Sequence, residues 1–123
     1  LLMFGLGGIF VEVMEDTAFR VAPVSEPEAR AMTEEIRSAP LLRGARGRDS
    51  VDVDAVVETI GRLSQLVTDF PAIMELDINP LVALPDGDGA TVAAVDVRLT
   101  VDPEALDSDD SDTAEPDPEE LNA

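Results

Sequence analysis

The 123-residue chain contains no cysteine, no histidine and no lysine. Without cysteine there is no disulfide and no thiolate chemistry, and redox usage gives no clue to compartment. Without histidine, neither imidazole acid–base catalysis nor a phosphorylated histidine can reside in these residues. No apolar run approaches the roughly 20 residues that span a bilayer, so no membrane crossing is expected. Residues 1–10 are glycine-rich and lack a basic flank, which excludes a signal peptide. The sequence starts at Leu1 and runs directly into apolar residues, and we read it as a piece of a longer protein. Its length suits one domain with a modest core.

The missing lysine leaves arginine as the only base. Eight arginines face 27 acids, for a formal net charge of −19. Residues 1–101 hold 17 of the acids and all 8 arginines, and residues 102–123 hold the other 10 acids, so the acidity is not confined to the end of the chain. Such a surface suits high salt, where screening weakens self-repulsion. We read a salt-adapted, cytoplasmic protein; arginine-favouring codons plus an acidic tail are the plainer alternative. Nucleic acid is excluded as an expected partner, because phosphate backbones need basic patches. A bound nucleotide would need positive charge from Mg²⁺ or from residues outside this chain.

Glu75-Leu76-Asp77-Ile78-Asn79-Pro80-Leu81, followed by Ala94-Val95-Asp96, carries the chemistry. Residues 81–84 and 91–97 have strand character, with the turn-rich Pro85-Asp86-Gly87-Asp88-Gly89 between them. A hairpin turning between Gly87 and Asp88 sets Asn79 opposite Asp96 and Asp77 opposite Arg98, about 5 Å apart across the strands. Alternation then puts these four polar groups on one face. It puts Leu76, Ile78, Pro80 and Val82, against Ala93, Val95, Val97 and Leu99, on an apolar face suited to a core. A slip of one residue would break the pattern. Asp77, Asn79 and Asp96 are hard oxygen ligands of the kind that hold Mg²⁺ together with substrate phosphates. A half-exposed hairpin whose polar face meets only water is the other reading.

The rest of the chain supplies scaffolding. Gly5-Leu6-Gly7-Gly8 precedes an apolar segment, residues 9–14, and we expect that segment to pair through an acidic turn at Glu15-Asp16 with residues 17–22. Because the glycines do not open a helix, they are not a phosphate loop, and close backbone approach is their expected use. Ser25, Pro27 and Glu28 form a capping-box helix start, with Ala29, Met32 and Ile36 on one face and a stop before Pro40. Arg43, Arg46 and Arg48 crowd a glycine-bearing loop, a candidate for meeting an anion or a solvated loop paired with acidic neighbours. Val53, Val56, Val57, Ile60, Leu63, Val67 and Phe70 trace a helix of about five turns, capped by Asp52 or Asp54 and ended by Pro71. The order is β-β-α-α-β-β-β, an α+β domain over residues 1–101 with a mostly antiparallel sheet and two helices. Residues 102–123 are expected to form a disordered acidic tail.

Four segments resemble a known family: Phe4-Gly5-Leu6-Gly7-Gly8-Ile9-Phe10-Val11-Glu12-Val13, Ala18-Phe19-Arg20-Val21-Ala22-Pro23, Leu41-Leu42-Arg43-Gly44-Ala45-Arg46-Gly47 and Glu75-Leu76-Asp77-Ile78-Asn79-Pro80-Leu81. They are similar to the ATP-grasp (β) portion of ADP-forming acetyl-CoA synthetases (acetate–CoA ligases), related to succinyl-CoA synthetase. The resemblance covers residues 1–101 and implies the C-terminal part of an ATP-grasp domain. It implies an enzyme that joins acyl-CoA and phosphate to ADP, or runs in reverse from ATP, with Mg²⁺ and ATP/ADP as cofactors. The family's metal-binding Asn and Asp match Asn79 and Asp96. Asp77 stands where succinyl-CoA synthetases carry Glu, so the match is looser there. Glu12 and Arg20 match recurrent positions without an assigned role. The implied partners are the remainder of the ATP-grasp domain and the CoA-binding (α) portion, which supplies the phosphorylated histidine, and the chain alone is expected to be inactive. The alternatives are a non-ligase module of a protein acetyltransferase and a non-catalytic interaction domain.

Overall fold

The computed structural model describes residues 1–7, 15–47 and 49–109. Strand β1 (Leu2–Gly5) pairs antiparallel with β2 (Thr17–Arg20), Phe4 opposite Ala18 and Gly5 opposite Thr17. Helices α1 (Glu26–Glu35), α2 (Ala39–Leu42) and α3 (Val53–Asp69) follow, with a 3₁₀ turn at Ala45–Gly47. Strands β3 (Ile73–Ile78), β4 (Leu81–Ala83), β5 (Val92–Ala94) and β6 (Val97–Val101) form a long, interrupted hairpin, and α4 (Pro103–Asp109) ends the described chain. Every strand pair is antiparallel: β1 with β2, β3 with β6, β4 with β5. The α+β class expected from the sequence is what the chain adopts.

The two main helices begin and end where their chemistry dictates. The Ser25 hydroxyl accepts from the Glu28 amide, and the Glu28 carboxylate accepts from the Ser25 amide at 2.7 Å, so two otherwise orphaned helix donors are satisfied reciprocally. Asp52 caps α3 by accepting from the Ala55 amide at 3.1 Å. Ala29, Met32 and Ile36 from α1 and Val56, Val57 and Ile60 from α3 meet in one core with Leu2, Ala18 and Ala39. Ser64, buried on the same side of α3, accepts a hydrogen bond from the Val24 amide at 2.8 Å. This satisfies a backbone donor at the entry to α1 and fastens that entry to the middle of α3.

Two placements differ from the sequence reading. The partner of β2 is residues 2–5, and the expected strand at 9–14 lies outside the described residues. Beyond Val101 the chain forms α4, where the acidic composition gave no reason to expect a helix; residues 110–123 lie outside the described residues.

Asp16, expected only as part of the acidic turn before β2, is buried, with a relative exposure of 8%. Its carboxylate accepts from the backbone amides of Arg37 and Ser38, the latter at 2.8 Å, at the start of α2. The adjacent Ser38 side chain, those two amides and the Arg37 charge hold the Asp16 carboxyl below the usual carboxylate range, although burial pushes it the other way. A lowered folded-state pKa means that the stabilisation is present above the unfolded carboxylate's range and is lost as pH falls through the folded value. Asp16→Asn should therefore melt at a lower temperature than wild type at pH 7, and the two melting curves should converge on acidification. A gap that stays constant across that range would show that the carboxylate charge is irrelevant.

Gly5 is a position where only hydrogen fits. A Cβ there would stand 2.6 Å from the Asp16 carbonyl oxygen and 2.9 Å from Thr17 Cγ2, and the first of these atoms is backbone and cannot swing away. Gly5→Ala is expected to cost about 1–3 kcal/mol through overpacking, measured by denaturant unfolding. An alanine variant as stable as wild type would show that β1 and β2 can separate freely.

Candidate metal and phosphate site

The β3–β6 ladder runs Leu76 opposite Leu99, Asp77 opposite Arg98 and Ile78 opposite Val97. It continues through the Asn79 amide, which donates to the Asp96 carbonyl at 3.0 Å, and resumes with Leu81 opposite Ala94. The register therefore brings Asn79 beside Asp96 and Asp77 beside Arg98, as the sequence reading expected. All four residues are exposed. At directly opposite positions the Cβ atoms of Asn79 and Asp96 stand about 5 Å apart, and Asp77 is a diagonal neighbour at about 7–8 Å.

The expected apolar face needs correction at Pro80. In a regular antiparallel ladder, bonded and non-bonded pairs alternate. Here the Asn79 amide bonds Asp96, and at the very next pair the Val95 amide bonds the Pro80 carbonyl at 3.1 Å. Pro80 has no N–H to give, and the ladder steps its phase by one residue there. Below the step the partly buried residues are Leu81, Ala83 and Val92, and it is Val82 and Val95 that are exposed. Above it, Leu76 and Ile78 are half-buried as expected, but their cross-strand partners Leu99 and Val97 are 54% and 52% exposed. The inward face is thus Leu76, Ile78, Leu81, Ala83 and Val92, backed by α3 at its β4–β5 end.

Asp52 holds that end in place. Besides capping α3, its carboxylate accepts from the Thr91 hydroxyl at 2.8 Å, and its amide donates to the Leu84 carbonyl at 2.8 Å. The start of α3 and the two strands flanking the turn are pinned together by one residue. On the other side, the glycine segment approaches the site closely. A Cβ on Gly7 would lie 3.6 Å from Asn79 Oδ1 and 3.7 Å from Pro80 Cβ, which is ordinary contact distance. Close backbone approach, the use expected of these glycines, is what Gly5 shows, whereas at Gly7 a methyl group would fit. A cavity of about 410 Å³ lies between β1 with this segment, α3 and residues 76–81, with Asp77 and Asn79 on its polar wall and Phe4, Ile60 and Leu63 among its apolar ones.

The donor set fits a hard divalent cation in one particular way. Among the described residues there is no group of three or more acids able to hold a metal alone. Two carboxylates and one carboxamide, exposed together, match the ion that completes its shell with water and phosphate oxygens. The other sequence candidates are less central. Arg20 is tied to Glu35 at 2.8 Å and to the Phe19 carbonyl, a structural contact. Arg43 is exposed on the α2–3₁₀ connection, while Glu12, Arg48 and the side chain of Arg46 lie outside the described residues.

Helix-backed antiparallel hairpins with an open face of oxygen donors define the chain as an α+β domain with a candidate cation and phosphate site. The chain belongs to the ATP-grasp family: the family model for the ATP-grasp domain matches residues 1–101. It is 46% identical over 99 residues to the β subunit of acetate–CoA ligase [ADP-forming] II of Pyrococcus furiosus, covering 80% of this chain and 41% of that subunit. It is 45% identical over 98 residues to 4-hydroxybutyrate–CoA ligase [ADP-forming] of Nitrosopumilus maritimus, covering 80% of this chain and 14% of that longer protein. Among solved structures, the dinucleotide-forming acetyl-coenzyme A synthetase 1 of Ca. Korarchaeum cryptofilum, in complex with coenzyme A and Mg-AMPPCP, superposes with a TM-score of 0.75 at 40% identity. That match covers 81% of this chain and 45% of the other. The chain thus spans less than half the length of these relatives.

Proposed function

We propose that this chain is the metal- and phosphate-binding segment of an ADP-forming acyl-CoA synthetase, the reaction being acyl-CoA + ADP + phosphate ⇌ carboxylic acid + ATP + CoA. The observation that supports this most directly is the pairing of Asn79 with Asp96 across the hairpin, with Asp77 two residues away on the same face. Asn79 and Asp96 would hold Mg²⁺, and Asp77 would bind it directly or through water. When bound, Mg²⁺ would neutralise and orient the nucleotide phosphates. The chain's own residues position and orient: the Asn79 amide donates to the Asp96 carbonyl and locks the strands at the site. The relative of known structure was obtained with Mg-AMPPCP, which accords with this assignment.

The remaining parts of the reaction fall to other segments. With no histidine in the chain, the phosphorylated residue would come from the CoA-binding portion. Relatives named for acetate and for 4-hydroxybutyrate match this segment at 46% and 45% identity, and we assign the choice of acyl group to other segments of the protein. The acetyltransferase-module reading gains no support from these ligases.

Isothermal titration of Mg-ADP onto the complete ligase tests the site. Asp96→Ala is expected to weaken binding by at least about tenfold, the effect of losing one charged contact. Equal affinity in variant and wild type would sink the metal assignment.

Salt adaptation and a cytoplasmic location belong to the same proposal, on the strength of the −19 charge. No helix among the described residues is long and apolar enough to cross a membrane. Raising KCl from 0.1 M to 1 M shortens the screening length from about 10 Å to about 3 Å. The melting temperature should rise over that interval, and a flat or falling response would contradict salt adaptation.

A further inference from the structure

Arg98 sits directly opposite Asp77 and two residues beyond Asp96, so it shares their face of the hairpin. It is exposed, and among the described residues it enters no ion pair. Of the other described arginines, Arg20, Arg30 and Arg62 are each tied to a carboxylate at 2.6–2.8 Å, while Arg37 and Arg43 are exposed and in no ion pair among the described residues but have no acid directly opposite them on a strand. A merely structural cross-strand arginine beside Asp77 would be expected to pair with it. Arg98 leaves its guanidinium unengaged in a chain where acids outnumber bases by more than three to one.

The chemistry of the face supplies a reason. Glu75, Asp77 and Asp96 attract a cation but repel the polyphosphate that must accompany it. Mg²⁺ offsets part of that charge. A guanidinium one cross-strand position away offsets more, and its planar fork matches two phosphate oxygens at once. We propose that Arg98 binds the nucleotide's terminal phosphate beside the metal and turns it toward Asn79 and Asp96. This rests on the metal assignment above and adds a phosphate-orienting residue to it.

The test is calorimetry on the complete ligase, with Mg-ADP and AMP as ligands and Arg98→Ala, Arg98→Gln, Arg98→Lys and Asp96→Ala as variants. Arg98→Ala and Arg98→Gln are expected to weaken Mg-ADP by about tenfold to a hundredfold, the effect of losing a charge-assisted contact. AMP, which lacks the terminal phosphate, should bind unchanged, and Arg98→Lys should recover part of the loss. Because the residue is exposed, the Gln variant keeps the fold if the Ala variant does not, and melting curves of both check this. If Arg98→Gln binds Mg-ADP like wild type while Asp96→Ala is impaired, Arg98 has no phosphate role and the metal site stands. If neither variant is impaired, the metal site falls and the proposal with it. Equal weakening of AMP and Mg-ADP would mark Arg98 as structural and overturn the proposal.

Discussion

The antiparallel register between residues 73 and 101 is the constraint on which the candidate site depends. Side chains alternate faces along a strand, so a slip of one residue would move Asn79 from beside Asp96 to beside Val95 and turn one of the oxygen donors inward. Several interactions hold the register. The turn closes through the Leu84 amide on the Thr91 carbonyl at 2.7 Å, with Gly89 at φ 104° taking the left-handed conformation that other residues avoid. Asp52 then grips both sides of that turn, through Thr91 and Leu84, while capping α3. The register is thus coupled to the helix as well as to the hairpin's own ladder.

The helix in turn is fixed by a core concentrated under β1, β2 and α1. Met32 and Ala29 are fully buried against Val56 and Val57, and Ser64 and Asp16 tie backbone amides from other segments into the same region. These polar contacts are placed where buried backbone donors would otherwise go unmatched, and leaving such a donor unmatched costs more than a typical hydrogen bond gains. The β3–β6 end has no such backing. Leu99 and Val97 sit opposite half-buried residues yet are themselves open, because α3 reaches the β4–β5 end of the hairpin and the described elements leave β6 uncovered.

What was legible in the sequence was what is local. The Ser25–Glu28 capping box needs only a three-residue spacing, and the α3 stripe only the helical period. The hairpin register follows from the turn residues and the alternation on either side of them. The phase step at Pro80 was not foreseen, because alternation was carried straight through a residue that cannot donate to the ladder. Asp16 was missed because its partners at Arg37 and Ser38 are more than 20 residues away in sequence and are backbone amides, which leave no mark on composition. The bonds from Val24 to Ser64 and from Thr91 to Asp52 were missed for the same reason. The polar face is unaffected by the step at Pro80, because Asp77, Asn79, Asp96 and Arg98 all lie on one side of it.

That position also accounts for the character of the site. A chain with this much negative charge binds an anion only where cations are collected, and the hairpin gathers both halves of the answer on adjacent strands: oxygen donors for a divalent ion and an unengaged guanidinium beside them. On the proposed reading, the donors must stay exposed in this chain, because a nucleotide clamped from only one side still presents its other side. Burying Asp77 and Asp96 within the segment would impose the cost of desolvating two carboxylates before any metal arrived. Exposure avoids that cost, and leaves the exclusion of water to the rest of the protein, which in the matched relatives is more than half of the chain.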